Sequence, residues 1–387
     1  MQPRYLAHAL RALGPTSLAV ALTFWTSASS GAEHDPAQVL ARADALRLWT
    51  KTAWLRLLHY RPDTFGGVSS EVDDAAFFLS PDGRDDPRAE IRATLAAFYQ
   101  PVSGTLDSHA RCRFPARFQW LDERLDLSTE LPRVRCRKLE HFETRLTPDS
   151  VALVYAANSV DSPVSAFGHT FLVFRRAGQP RDAGHVIEYT AETDTENPFL
   201  YAFKGIFGLF EGHLRYSELG DKLKYYLEDQ ARDLWEYELA LTPGERRQLT
   251  RHLWELSRSR LDYYYVSENC SYGLLSLLEA GVPRLELIGK TKYVVPPVDT
   301  VKALFGTPGL VQSVRHRAAR GVSEAVLRTP PHRGHASMRI LLGTGFSSHH
   351  DDGFATLGYR IALHDLADPP PGQPALSQIQ FMDARVR

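Results

Sequence analysis

A cysteine and a histidine in this sequence stand where nucleophilic chemistry is possible. Cys270 lies where polar residues give way to a leucine-rich segment, in the stretch YYYVSENCSYGLLSLLE. The positive end of a helix dipole favours the thiolate, which is the nucleophilic form of cysteine. His169 follows Gly168 and opens an apolar, strand-like stretch, HTFLVF. A free cysteine is more often a small buried hydrophobic residue, and a lone histidine of this kind is more often a core residue, so neither is decisive alone.

Taken together, the two residues predict a thiol catalyst. A cysteine nucleophile needs a base within hydrogen-bond reach, and that base needs a group that orients it. Papain-like enzymes meet this need with a helix-borne cysteine and a strand-borne histidine, and this chain offers the same parts with the histidine first. We predict Cys270 as nucleophile, His169 as base and Glu188 as the orienting group. Asn158 and Asn269 are alternatives for the third position, and a solvated strand glutamate is the commoner role for Glu188.

The start of the predicted helix suggests further site residues. The backbone N–H groups of Cys270 and Ser271 would stabilise an oxyanion there. Asn269 and Ser271 are therefore predicted to support the site.

The first residues predict export. Arg4 and Arg11 precede an apolar stretch, Leu13 to Trp25, and small residues follow up to Ala32. This order is typical of a secretory signal peptide cleaved after Ala32. The apolar stretch is shorter than the roughly 20 residues that span a bilayer. We expect a periplasmic protein, and an association with the outer membrane remains open.

The three cysteines fit that compartment. Cys112 and Cys136 lie in one arginine-rich region and are natural partners for a local disulfide, although three pairings are possible. Disulfides persist in exported proteins. This pairing would leave Cys270 free, either reactive or buried and inert.

Composition limits the classes of partner. The 387 residues carry a net charge of -1, with 43% hydrophobic and 24% charged residues. This balance gives no electrostatic reason to expect nucleic acid as a partner. A cell-wall or lipid substrate fits the predicted compartment.

The patterning predicts an α+β protein with a helical module at its N-terminus. Apolar residues recur at helical spacing over 36–60, and a second helix is predicted over 85–100. Three alternating stretches then predict strands, and TPGERRQL predicts a helix start in which Thr242 and Glu245 form a capping box. Alternation returns after 336 and predicts antiparallel strands that belong to a larger sheet. The predicted segments are 1–32 (signal peptide), 33–147 (helical module with the Cys112–Cys136 loop), 148–300 (catalytic domain) and 301–387 (C-terminal β-rich segment).

Four stretches carry a resemblance to a known family. SAFGHTFLVF, KGIFGLFEG, ARDLWEYELALTPGERRQLTRHLWEL and YYYVSENCSYGLLSLLE resemble the Lnb N-terminal periplasmic domain family, a domain of unknown function. The resemblance covers most of residues 35–300. That family is in turn similar to circularly permuted papain-like enzymes, which include NlpC-type cell-wall peptidases and relatives of lecithin:retinol acyltransferase. The resemblance implies a permuted papain-like core, with His169 as base and Cys270 as nucleophile; Glu188 stands where relatives would carry an asparagine.

These observations predict an exported thiol hydrolase or acyltransferase. Its substrate would be an amide or ester from a peptidoglycan peptide, a lipid or a lipoprotein, and no cofactor would be required. The aromatic stretch that begins NPFLYAFKGIFGLFEG would form a lid, an apolar groove or part of the core. The alternative is a non-catalytic envelope binding or scaffold module, whose C-terminal strands belong to an outer-membrane assembly.

Two histidine-rich stretches suggest a metal site only weakly. PHRGH and SSHHDDG match no zinc-ligand spacing, and SSHHDDG is typical of a hairpin turn. We therefore predict no metal at the residues His332, His335, His349, His350, Asp351 and Asp352.

Overall fold

The computed structural model describes residues 36–63, 66–102, 106–159, 167–265, 267–290, 295–320, 329–347, 349, 351–361, 364–366, 368, 378 and 382–386. The predicted signal peptide and His350 lie outside these residues. The α-helices are α1 (Pro36–Ala45), α2 (Thr52–Leu57), α3 (Pro87–Phe98), α4 (Ala110–Arg113), α5 (Pro115–Leu125), α6 (Leu127–Glu130), α7 (Arg137–Leu146), α8 (Pro198–Ile206), α9 (Leu219–Lys224), α10 (Pro243–Leu256), α11 (Cys270–Gly281) and α12 (Pro297–Phe305). The strands are β1 (Tyr60–Pro62), β2 (Val68–Ser70), β3 (Ser150–Ala156), β4 (His169–Arg175), β5 (His185–Glu192), β6 (Phe210–Glu218), β7 (Leu234–Leu239), β8 (Leu261–Tyr263), β9 (Val311–Arg317), β10 (Arg339–Ser347), β11 (Asp352–Ile361) and β12 (Met382–Val386).

Helices α1 to α7 and the β1–β2 hairpin precede the central sheet. The continuous helix predicted over 36–60 is wrong, because Arg47 adopts a left-handed backbone conformation with φ 49°. A short 3-10 turn follows and α2 begins in a new direction, so that Leu48 and Trp54 are both buried. The second predicted helix is confirmed as α3, where the Asp86 carboxylate accepts hydrogen bonds from the first backbone N–H groups.

A buried arginine joins this helical region to the rest of the chain. Arg117 on α5 lies 2.8 Å from Glu90 on α3 and 3.5 Å from Glu255 on α10. Its guanidinium also stacks between the rings of Phe77 and Phe114. Since a buried charge is tolerated only when it is paired and hydrogen-bonded, this cluster fixes three helices relative to one another.

The predicted disulfide is present and reinforces the same junction. Cys112 and Cys136 are bonded, with their Cα atoms 5.3 Å apart, and the bridge joins α4 to the residue before α7. The indole N–H of Trp254, on α10, donates to the carbonyl of Cys112 at 2.8 Å. Covalent and polar contacts thus converge on α10.

The central sheet has seven described strands in the order β8-β6-β5-β4-β3-β7-β9, and every neighbouring pair is antiparallel. The prediction of a mixed α+β fold with antiparallel strands is confirmed. The sheet continues to β9, whose residues Val311–Arg317 pair with β7, and therefore extends past residue 300.

Different helices cover the two faces of the sheet. Leu172 and Ile187 belong to the main core, which includes buried residues of α10, α11 and α12. Phe171 and Val173 point the other way and pack with Leu219 of α9. Alternation along β4 and β5 therefore places His169 and Glu188 on the α9 side of the sheet.

Strands β10, β11 and β12 form a separate antiparallel sheet. The hairpin turn predicted at SSHHDDG is confirmed, since Ser347 pairs with Asp352 at the end of the β10–β11 ladder. Among the described helices, none combines the length and apolar character that a membrane crossing requires.

Replacement of Arg117 tests the junction. Arg117→Met should lower the free energy of unfolding by about 3–5 kcal/mol, because Glu90 and Glu255 would keep buried charges without their partner. Arg92→Met is the matched control on the surface, where the pair with Asp44 is half exposed and its loss should cost less than about 1 kcal/mol. Urea unfolding of both variants measures the two losses of unfolding free energy. Equal losses would show that the buried cluster contributes no more stability than a surface ion pair.

Candidate active site

Cys270 is the first residue of α11 and only 8% exposed. The preceding Asn269 caps the helix: its side-chain oxygen accepts from the N–H groups of Ser271 and Tyr272, at 3.0 and 3.2 Å. The Asn269 amide also donates to the carbonyls of Tyr265 and Val295. With both ends of its amide engaged, Asn269 holds the helix start that carries the thiol and does not face His169 as an orienting group.

His169 opens β4, and its imidazole lies close enough to the Cys270 thiol for each group to shift the pKa of the other. The residue before it must be glycine. Gly168 has φ 82°, and a Cβ atom there would lie 2.6 Å from the Tyr155 ring and 2.9 Å from the carbonyl oxygen of Ala156. A glycine at this turn lets the chain enter β4 with the imidazole directed at the thiol.

The helix and the strand are held in register by buried contacts beside the pair. The hydroxyls of Thr170 and Ser271 lie 3.0 Å apart, in a buried hydrogen bond between β4 and α11. The Ser271 hydroxyl lies 3.9 Å from the Cys270 sulfur, and the Thr170 N–H contributes to the lowered pKa of the thiol. Ser271 therefore supports the thiol through its side chain.

The structure places Glu188 beside His169. The Glu188 Oε2 atom lies 3.6 Å from the His169 Nε2 atom. Lys222 on α9 approaches the same carboxylate, with its Nζ atom 2.7 Å from Oε1 and 2.9 Å from Oε2. Asn158, the alternative third residue, follows the end of β3, and its role as an orienting group stays a prediction.

The charges of Cys270, His169 and Glu188 shift the pKa values of their neighbours. Burial lowers the pKa of His169, but the Cys270 charge and hydrogen bonds to Cys270 and Glu188 outweigh it and raise that pKa to about 9. Burial raises the pKa of Cys270, but the imidazolium and the hydrogen bonds from His169, Ser271 and Thr170 lower it overall. The two shifts both favour the thiolate–imidazolium form of the pair over its neutral form.

Glu188 follows the same logic. Burial raises the pKa of its carboxyl group, but hydrogen bonds from His169 and Lys222 outweigh burial and leave the pKa lowered. Glu188 is consequently ionised where His169 is protonated, which suits a carboxylate that holds an imidazolium.

Tyr263 is a site residue that sequence reasoning missed. The backbone N–H of Cys270 donates to the Tyr263 hydroxyl at 3.0 Å, and the charge of the Cys270 side chain is one cause of the raised pKa of Tyr263. Burial raises the pKa of Tyr263 well above its ordinary value, so the hydroxyl keeps its proton. The tyrosine run before Glu268 and Asn269 was the available signal in the sequence.

The predicted oxyanion donors are already engaged. The Ser271 N–H donates to Asn269 as part of the helix cap, and the Cys270 N–H donates to Tyr263. Capping and the tyrosine thus satisfy the first N–H groups of α11, and stabilisation of an oxyanion by either group stays a prediction.

Comparisons with known proteins agree with the sequence motifs. Residues 138–307 match the family model of the Lnb N-terminal periplasmic domain. Residues 46–124 and 328–387 match two domains of unknown function, DUF7843 and DUF7840. No match was found among curated proteins or among solved structures.

Residues 138–307, which contain His169, Glu188 and Cys270, thus belong to the Lnb N-terminal periplasmic domain family, as the motifs predicted. The name of the family places the domain in the periplasm. The match to DUF7843 covers Glu90 and Arg117, and the match to DUF7840 covers the three-stranded sheet.

The coupling of Glu188 to His169 can be measured directly. Glu188→Gln should lower the pKa of His169 from about 9 toward the ordinary value near 6.5, because the carboxylate no longer stabilises the imidazolium. NMR titration of the histidine ring gives this pKa. Glu192→Gln, an exposed position on the same strand, is the control and should leave it unchanged. An unaltered His169 titration in Glu188→Gln would exclude the orienting role.

Proposed function

We propose that this protein is a periplasmic thiol enzyme that transfers or hydrolyses an acyl group. The observation that carries the proposal is the buried Cys270–His169 pair beside Glu188, in which the pKa of the thiol is lowered and that of the imidazole is raised. A helix-borne cysteine against a strand-borne histidine, with a carboxylate on the next strand, also supports a circularly permuted papain-like arrangement.

In the proposed reaction, the Cys270 thiolate attacks the carbonyl carbon of an ester or amide. The carbonyl π electrons move to oxygen, and the Tyr263 O–H donates a hydrogen bond to the resulting oxyanion. The oxyanion collapses to a thioester as the His169 imidazolium protonates the departing alkoxide or amine. Neutral His169 then takes a proton from water or from an acceptor alcohol or amine, which attacks the thioester and releases Cys270 as thiolate. Glu188, itself held by Lys222, orients the imidazole throughout.

An apolar surface beside the site favours a substrate with a long acyl chain. Helix α8 and the residues after it expose large hydrophobic side chains, with Phe199 exposed over 87% of its surface. The others are Leu200, Phe203, Ile206, Phe207 and Leu209. Exposed apolar patches of this kind mark interaction sites for lipids or proteins.

Aromatic contacts connect this surface with the thiol. Tyr201 on α8 packs on Tyr265 with ring centroids 5.3 Å apart, and Tyr265 packs on Tyr263 at 5.8 Å. The Tyr265 N–H donates to the carbonyl of Gly205 at 2.8 Å. The Tyr263 hydroxyl accepts a hydrogen bond from the Cys270 N–H. An acyl chain that lies along these aromatic rings would therefore bring its carbonyl group toward the Cys270 thiol. A lipid or lipoprotein acyl group is thus favoured over a wall peptide.

The pH dependence of iodoacetamide labelling tests the primed thiol. Cys270 should label with a midpoint below the ordinary thiol pKa of about 8.5, because the imidazolium stabilises the thiolate. His169→Ala should shift that midpoint upward and slow labelling at pH 7 about tenfold or more. His185→Ala, at the start of the neighbouring strand, is the control and should label as the parent does. A folded protein whose thiol stays inert over the whole range would exclude the enzyme.

Acyl chain length tests the substrate. With p-nitrophenyl esters, the dodecanoyl ester should give a higher kcat/KM than the acetyl ester, and Cys270→Ala should abolish both activities. Turnover should fall above about pH 9, where His169 loses its proton. Phe199→Ser with Phe203→Ser should remove the preference for the long chain, whereas Leu342→Ser on the separate sheet should keep it. A preference that survives in the double variant would place the acyl-chain site elsewhere.

One observation favours a second function, an envelope binding or scaffold module. Residues on one face of the C-terminal sheet are apolar and exposed, since the register places Leu342 opposite Leu357 and Leu357 opposite Val386. Ile340 and Phe346 lie on the same face of β10 as Leu342, because every second residue of a strand points to the same side. This face would bind an apolar partner in the envelope. If Cys270 proves inert to labelling, this binding function replaces the enzyme as the leading proposal.

A further inference from the structure

Two histidines and an aspartate cluster at the base of the C-terminal sheet, away from Cys270 in the sequence. His335 precedes β10, and His364 and Asp368 follow β11. One nitrogen or oxygen atom from each side chain lies within 4.8 Å of the other two. The His364 side chain is buried, and the other two are mostly shielded from solvent.

The orientation of His335 leaves a ring nitrogen directed into the cluster. Its Nδ1 atom lies 2.9 Å from the carbonyl oxygen of Ala336, which can only accept, so this contact is a hydrogen bond when Nδ1 is the donor. The Nε2 atom faces the cluster, 2.8 Å from His364 Nδ1 and 3.8 Å from Asp368 Oδ2. A backbone carbonyl bound to the far ring nitrogen is the arrangement that usually orients a metal-binding histidine.

The aspartate is held in place as well. Asp368 Oδ2 accepts from the Asp365 N–H at 2.9 Å, and Oδ1 pairs with the guanidinium of Arg339. Outer partners of this kind fix a carboxylate while leaving a lone pair for a metal ion. The pairing with Arg339 also keeps the carboxylate ionised, and the pKa of Asp368 is lowered although burial opposes it.

The donor distances fit one small metal ion. Ligands bound at about 2.0–2.1 Å in a tetrahedral site lie about 3.3 Å apart. The distances of 2.8 and 3.8 Å from His335 Nε2 fall on either side of that value. The third pair of atoms, from His364 and Asp368, lies within 4.8 Å, and the two imidazole rings stack at 11°, so that binding would require the side chains to rotate. Two imidazoles and one carboxylate suit zinc, whereas calcium and magnesium prefer oxygen ligands alone.

We propose that His335, His364 and Asp368 bind one Zn²⁺ ion, with water in the fourth position. The ion joins the residues on the two sides of the β10–β11 hairpin and closes it at its base. Lys302 on α12 donates to the carbonyl of His335, and Ser337 donates to Asp299 on the same helix at 3.0 Å. The site consequently fastens the hairpin to a helix that packs on the central sheet. This role is separate from the chemistry of Cys270.

The test uses the purified protein in a Cys270→Ser background, so that the thiol cannot bind the metal. After chelator treatment and buffer exchange, titration with Co²⁺ should show one equivalent bound, with the visible absorption of a tetrahedral site, and Zn²⁺ should displace it. Asp368→Asn and His335→Gln should each weaken binding at least tenfold. Zn²⁺ should raise the Tm of the protein, because it binds the folded state, and Asp368→Asn should lose that rise.

The control is His349→Gln, at an exposed position in the β10–β11 turn, which should bind as the background protein does. Circular dichroism of each variant separates loss of the site from loss of the fold, and Asp368→Asn preserves the shape of the side chain. Absence of one-to-one binding, or binding that both site variants retain, would overturn the proposal. The 2.8 Å contact would then be a hydrogen bond from His364 to His335.

Discussion

The site depends on one constraint: a thiol and an imidazole share a buried location, where an isolated charge is costly. Cys270 and His169 lower this cost for each other, since the charge of each stabilises that of the other and shifts both pKa values toward the charged forms. This requires that the start of α11 and the start of β4 be held at a fixed distance and orientation. Gly168, the Thr170–Ser271 hydrogen bond and the Asn269 cap each serve that fit.

The packing behind the site serves the same purpose. Helix α11 lies on β4 and β5, and Gly281 allows it to approach α10 closely, because a Cβ atom there would lie 2.7 Å from the Cα atom of Leu249. Helix α10 is in turn fixed by Glu255 to Arg117 and by Trp254 to the disulfide-bonded Cys112. The helical region at the N-terminus thereby acts as a support for the helix that carries Cys270.

Features with local causes could be predicted from the sequence. The capping box of Thr242 and Glu245 depends on residues three apart, and both of its hydrogen bonds are present. Strand alternation predicted the neighbouring strands that carry His169 and Glu188. The Cys112–Cys136 bridge followed from proximity in the chain and the expected compartment.

Features that depend on contacts between residues far apart in the chain could not be predicted from the sequence. Arg117 and Glu255 are separated by more than a hundred residues, and no periodicity indicates that they meet. Tyr263 reaches Cys270 only because the short β8 strand pairs with β6. His335 was noted in the sequence, but its neighbours His364 and Asp368 lie beyond a hairpin and share no ligand spacing with it. The break at Arg47 is decided by the burial of Trp54, which outweighs helix periodicity.

The contact between Lys222 and Glu188 has a consequence for the electrostatic field around the site. When Cys270 and His169 are ionised, Lys222 and the imidazolium carry two positive charges, and Glu188 and the thiolate carry two negative ones, so the four charges sum to zero. Such a quadruplet projects little field beyond its own dimensions. These four groups therefore add little to the attraction or repulsion of a charged molecule in solution, whatever the sign of its charge.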